Sequence, residues 1–357
     1  MSDEGAADVG SDSTTVGILA ASSILGKELG ERLFAIDPSL AIRGFSGDPA
    51  DEGELAEFGR AATLIEVLDL QRPDPELLAG LDLFFVPVAV SAAVVSALRE
   101  ALPPTAVLVL VDAVGWSAEL AGPELGDLDL VPVVAGLPLA ESSESAQVLV
   151  SPPASLVCQA LLLDALRELV PRRVATTVLE PVSVLSAEAV EELLGQTRAI
   201  LAFSGEMPTD LLGGQQAFNL LPVAATETAA ALRRLTGVEL ETASQQVVRA
   251  GVFHGVALST CIEFEQPVGD EALAAAIEVR PGLHLHPTGA TSRKGSAGDP
   301  VAVAGEHSVH VSLAPLRGPG DGSRSRRRWF WVLADNLTTV GAWNAVSIGL
   351  PPTHEVN

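Results

Sequence analysis

Apolar runs of strand length alternate with stretches of helical period over the first 150 positions. Residues 15–20 read as a short buried strand. Ile24, Leu25, Leu29 and Leu33 then fall at helical spacing, with Ser22 or Ser23 placed to cap that helix. Residues 40–45, 81–88 and 106–111 are further apolar runs of strand length. Between the last two, residues 89–102 have helical spacing and stop at Pro103-Pro104. The acidic, Gly/Pro-punctuated stretch 45–60 reads as a surface loop. Strand, helix and strand in repetition imply parallel pairing through crossover helices. The expected class is therefore α/β, with a Rossmann-like doubly wound parallel sheet over residues 15–150.

From Ser151 the pattern changes. A buried run at 148–151 turns through a tight loop, 151–155, into an apolar helix. Residues 174–178 read as a strand, and 186–201 as a helix with Glu188, Glu191 and Glu192 on its wet face. Residues 246–264 alternate in the manner of antiparallel strands, 270–279 are helical, and 287–307 form a long polar loop. A strand at 329–334 and a last helix at 340–348 follow. Longer, less regular connections point to a second α+β domain with a mixed sheet over 151–335. Residues 1–14 are expected to be a disordered tail, and 336–357 a separate C-terminal helix.

Composition narrows the function classes. The chain has 357 residues, 46 acidic against 21 basic side chains, and a formal net charge of −25. Such a surface repels nucleic acid and anionic membranes, so neither is an expected partner. No apolar run is long enough to span a bilayer, the N-terminus lacks a signal-peptide pattern, and two cysteines give no disulfide framework. The expected location is cytoplasmic. The basic cluster Arg324-Ser325-Arg326-Arg327-Arg328 reads as a solvated hairpin end. The tryptophans and phenylalanines follow core patterns.

Five framework motifs occur in order: the helix segment Glu191–Thr197 (Glu-Glu-Leu-Leu-Gly-Gln-Thr), Ala217-Phe218-Asn219-Leu220-Leu221-Pro222, His286-Pro287-Thr288, Ala334-Asp335-Asn336-Leu337 and Asn344-Ala345-Val346. Together they resemble the aspartate-semialdehyde dehydrogenase family, over about residues 15–350. The resemblance implies an NADP-binding first domain, a second domain carrying catalysis and a homodimer interface, a C-terminal helix packed back on the first domain, and kinship with amino-acid biosynthesis.

At the positions where that family does chemistry, this chain departs from it. The family's thiol nucleophile aligns with Ala154, which has no sulfur to attack a carbonyl. Cys158, one turn later, reads as a core thiol. The acid–base histidine aligns with Val256. His254 sits two residues early, on the same side of a strand. The family's glutamine aligns with Glu180, and the glycine turn after it becomes Ser183-Val184-Leu185-Ser186. Arg249 stands at the family's substrate-carboxylate arginine. It is either an anion-binding fork or half of an internal ion pair. The second anion-binding arginine is missing from the turn Asp112–Ser117. The dinucleotide turn reads Ala20-Ala21-Ser22-Ser23-Ile24-Leu25-Gly26 and keeps the last of three glycines, the one used for helix–strand packing. Arg43 comes too early to meet a 2′-phosphate, and the second cofactor loop is the apolar Phe85-Val86-Pro87-Val88-Ala89.

Two other constellations were weighed. His284-x-His286 and His307-x-x-His310 have spacings that metal ligands use, but neither a nearby cysteine nor an obvious carboxylate partner accompanies them, and no metal is expected. Ser151-Pro-Pro-Ala-Ser155 lacks the geometry of a serine nucleophile elbow. The expected protein is a Usg-type relative of the semialdehyde dehydrogenases that keeps the fold without catalysis. It would be a dimeric binding or scaffolding protein for a partner protein or a small anion held at Arg249 and His254. No cofactor is expected, and NADP at Ala20, Ser22, Ser23 and Gly26 if any. The alternative is an active NADP-dependent oxidoreductase.

Overall fold

The computed structural model describes residues 14–111, 130–137, 148–286, 300–314 and 324–350. The expected disordered tail (apart from Thr14), the turn at Asp112–Ser117, Pro287-Thr288 and most of the 287–307 loop lie outside them.

The first sheet is doubly wound, as its alternating apolar runs imply. Its strands are β1 (Thr15–Leu19), β2 (Ala41–Ser46), β3 (Leu55–Phe58), β4 (Ala61–Val67), β5 (Leu83–Val86), β6 (Val107–Val111), β7 (Leu130–Pro132) and β8 (Val148–Ser151), in the order β3-β4-β2-β1-β5-β6-β8-β7. Every neighbouring pair is parallel except β3–β4. Crossovers run through α1 (Ile24–Ile36), the short α2 (Pro75–Leu78) and α3 (Ala92–Ala101). Val16 and Ile18 bury toward α1 on one face, while Leu19, Phe84 and Leu108 bury on the other. The strand order reverses at β1/β5, the point where such sheets form a crevice.

The second sheet is mixed. It contains β9 (Pro171–Glu180), β10 (Leu220–Glu227), β11 (Thr242–Ala250), β12 (Val256–Gly269), β13 (Leu283–His286), β14 (Val309–Leu313) and β15 (Arg324–Ala334), in the order β10-β11-β9-β12-β15-β14-β13. Helices α4 (Ala154–Ala165), α5 (Ala187–Leu201), α6 (Ala229–Thr236) and α7 (Asp270–Glu278) complete this half. Val174 and Val178 of β9, Leu258 and Ile262 of β12, and Phe330 and Val332 of β15 alternate onto one face, where α4, α6 and α7 cover them.

Several expectations need correction. The 45–60 loop hides the hairpin strand β3, because Ala56 and Phe58 point inward against α1 while their neighbours stay wet. Strands β10, β13 and β14 were not anticipated. The first is largely exposed and β13 is four residues with two histidines, whereas β14 alternates cleanly over five residues. The basic cluster begins the long strand β15, antiparallel to β14, with Arg324, Arg326 and Arg327 exposed as expected and Arg328 the exception. Arg328 shares the inward face of Phe330 and Val332, is fully buried, and pairs with Asp270 and the Val268 carbonyl. The aromatics are not all core, since Phe203, Phe218 and Trp329 stand exposed.

The chain's last described segment returns to the first sheet. A π-helical turn, Thr338–Trp343, leads into α8 (Asn344–Gly349), and Ala342, Ala345, Val346 and Leu350 join the buried cluster on α1, β1, β5 and β6. Gly341 permits this docking: a Cβ there would lie 2.6 Å from the Asn336 carbonyl oxygen.

Candidate functional site

The β1–α1 turn keeps a glycine-like backbone without the glycines. Ala20 sits at φ 48°, in the left-handed region that costs an alanine about 1 kcal/mol or more. Ser23 caps α1, its hydroxyl accepting from the Gly26 amide at 3.1 Å. That amide belongs to the helix end where a phosphate would otherwise bind. Gly26 lies against the Ala20 carbonyl and the Ala21 backbone, so it serves packing. Ser22 is exposed. Arg43 is committed to Glu66 through two hydrogen bonds of 2.8 and 2.6 Å.

At the end of β8 the chain turns through Pro152 and Pro153 into α4. Ala154 is the first residue of that helix and is 8% exposed. Its methyl belongs to the same contiguous core as Val256, Ala334 and Val340. Ser151 is fully buried and accepts a hydrogen bond from Asn344 Nδ2 at 2.8 Å. Cys158, the sulfur nearest in sequence, is wholly buried, and desolvation pushes its thiol up to about 12. A thiol held that far above neutrality is no nucleophile.

Arg249 and Glu180 face each other across the parallel β11–β9 pair, where they are register partners. The guanidinium grips the carboxylate at 2.6 Å through Nη2 and at 3.2 Å through Nε, and both side chains are more than four-fifths covered. The arginine fork is thus occupied by a carboxylate of the chain itself. Of the two roles weighed for Arg249, the geometry is that of an internal pair. Sequence reasoning identified both residues but not their contact, which depends on a strand register that no local motif encodes.

The segment joining β11 to β12 crosses the same end of the sheet. The Val182 and Ser183 amides donate to the Val252 and Phe253 carbonyls at 3.0 and 3.1 Å, and the Gly255 amide donates to Asn336 Oδ1 at 2.8 Å. His254 lies exposed on this turn, whereas Val256 is buried at the start of β12. Leu185 points largely to solvent.

The framework around these positions is fully bonded. Buried Gln196 donates to the Pro208 and Gly214 carbonyls and accepts from the Gln216 and Ala217 amides, at 2.8–3.0 Å. It thereby fixes the loop that leads to Asn219. Asp335 accepts from the Gly305, Leu337 and Thr338 amides, and Asn344 ties α8 to Ala135, Val133 and Ser151. These residues positioning the site, Gln196 among them, were visible in the sequence only as motif letters.

Of the four spaced histidines, three come together. His284, His286 and His310 stand on β13 and β14, and His307 is exposed outside the group. Burial, then the neighbouring imidazoles, holds His286 and His310 below the ordinary histidine range.

No protein-family model matches the chain. A curated relative, the USG-1 protein homolog of Azotobacter vinelandii, is 33% identical over 227 residues. The match covers 58% of this chain and 62% of that relative's length. Among solved structures, aspartate semialdehyde dehydrogenase II of Vibrio cholerae, complexed with ASA, is similar with a TM-score of 0.74 and 19% identity, covering 94% of this chain and 97% of that one. A probable aspartate-semialdehyde dehydrogenase of Pseudomonas aeruginosa gives 0.72 and 22%, with the same coverage. At these identities the likeness establishes the fold, a two-domain architecture of the aspartate-semialdehyde dehydrogenase kind. Among the described residues no helix is long and apolar enough to cross a membrane.

Proposed function

We propose that this chain is a semialdehyde-dehydrogenase homologue that has lost catalysis and acts as a dimeric binding or scaffolding protein. The observation that carries the reading is the pairing of Ala154, at the nucleophile position, with an Arg249 clamp closed by Glu180. Thiol-dependent oxidation of an aldehyde needs a thiolate, a base and an anchored substrate. Here the first position carries a methyl, the second is buried Val256, and the third is filled from within. The β1–α1 turn supports the same reading. Two of the three glycine positions carry side chains, and the Gly26 amide that would meet pyrophosphate already serves Ser23. These residues fit a dinucleotide poorly, so no step through one is derived.

Self-association is assigned to the uncovered face of the second sheet. Ala175, Thr177, Ser244 and Gln246 of β9 and β11 line a shallow depression there, with Trp329 of β15 half-exposed at its edge. Location in the cytoplasm follows from the same kinship.

The test is direct. The purified protein is offered aspartate semialdehyde, phosphate and NADP, and its melting temperature is recorded with NADP and with NAD. No turnover and no shift are expected. A binding ligand at a hundred times its Kd would stabilise the fold by about 2.7 kcal/mol, which a melting curve resolves. Turnover above background would overturn the reading.

A further inference from the structure

We infer that His284, His286 and His310 form the ligand set of a zinc-class divalent metal site, with the Glu306 carboxylate placed to supply a fourth group. On β13 the two histidines are separated by one residue and so project to the same face, and His310 on β14 is the register partner of His284. The ring centroids form a triangle with sides of 4.7, 5.1 and 5.3 Å. Three imidazoles bound to one tetrahedral ion through bonds of about 2.0–2.1 Å also have centroids about 5 Å apart. The backbone thus already sets the spacing that ligation needs.

All three rings line one cavity of about 360 Å³, which Glu306, Ser308, Ala302 and Val303 complete. Its donor set is imidazole with a carboxylate, which suits zinc, copper or nickel and not the hard, oxygen-seeking cations.

As it stands, no group of three or more His, Cys, Asp or Glu among the described residues is arranged to hold a metal ion. In this arrangement His286 Nε2 and His310 Nδ1 share a hydrogen bond of 2.8 Å. Nitrogens sharing a tetrahedral zinc stand about 3.3 Å apart, given bonds of that length. Ligation therefore requires a ring rotation that breaks this bond and opens the pair by about half an ångström. The turn carrying Glu306 is anchored from outside the cavity, by Thr339 on the Glu306 carbonyl and Asp335 on the Gly305 amide. A metal at the histidines would therefore stiffen the support of Asn336 and, through it, the Gly255 turn.

The full chain, stripped with chelator, is titrated with zinc chloride by calorimetry and with cobalt(II) by absorption. One equivalent is expected to bind, with a cobalt spectrum of four-coordinate nitrogen/oxygen type. His286→Ala and His310→Ala should each weaken zinc by at least about 100-fold, a larger loss than outer groups cause. His307→Ala and His254→Ala should leave it unchanged. If the alanine variants misfold, imidazole proton shifts on zinc addition to the wild-type chain decide the matter. Shifts confined to His284, His286 and His310 support the site. No binding, binding that survives His286→Ala/His310→Ala together, or shifts at other histidines would overturn it and mark any bound metal as an adventitious ion only.

Discussion

Single side chains carry the proposed loss of catalysis. A thiol at Ala154 would stand at a helix N-terminus, where partial positive charge favours the thiolate. Cys158 stands one turn deeper in an apolar core, where the same sulfur is inert. Iodoacetamide at pH 8 should therefore leave Cys158 unmodified in the native protein and reach it only after unfolding. Mass mapping of a native Cys158 adduct would contradict this. Ala20 holds the backbone shape of a glycine turn at an energetic cost. Ala20→Gly should raise stability by about 1 kcal/mol, read as a higher denaturant midpoint with an unchanged slope. The identities at Ala154, Val256 and Glu180 were legible in the sequence because each sits in a recognisable motif. The Arg249–Glu180 contact was not, since it joins residues 69 positions apart through strand register.

Among elements, the alternation of apolar runs and helices was enough to place β1, β2, β5, β6 and β8 and the helices α1 and α3. Burial on both faces makes such strands continuous apolar runs. The second sheet was harder to read. β10 exposes most of its residues, and β13 carries two histidines where a core strand would carry aliphatic side chains, so hydrophobic period alone misses both. Arg328 shows the opposite failure, a charge placed inward and neutralised by Asp270. The latch between α8 and the Ser151 loop is likewise a matter of one side chain. Asn344→Ala would strip hydrogen bonds from the Ala135 amide and Ser151 hydroxyl and from the Val133 carbonyl, all at buried or part-buried sites. At about 1–3 kcal/mol for each buried group left unpaired, a loss of about 3 kcal/mol is expected. Calorimetry should show a melting temperature several degrees lower, and an unchanged curve would mean that water replaces the amide.

At the scale of the molecule, charge and surface act together. A chain of net charge −25 resists casual association, so contact between two copies needs a face where acidic groups are sparse. The depression on the second sheet is such a place: Glu227 is its one carboxylate among Thr, Ser, Gln, Ala and Trp329. Light scattering is expected to give about twice 36.8 kDa, and Trp329→Glu should return the protein to that single mass. A wild-type monomer at tens of micromolar would refute this assignment. The first sheet draws its described strands from residues up to Ser151 and the second from Pro171 onward.

The return of α8 to the first sheet has a consequence for synthesis. Val16, Ile18 and Phe85 share a buried cluster with Ala345, Val346 and Leu350, so the earliest strands made lack part of their cover until nearly the whole chain has left the ribosome. The first sheet completes its core only when that segment arrives. A nascent chain arrested before residue 336 presents those strands bare, a natural client for a chaperone.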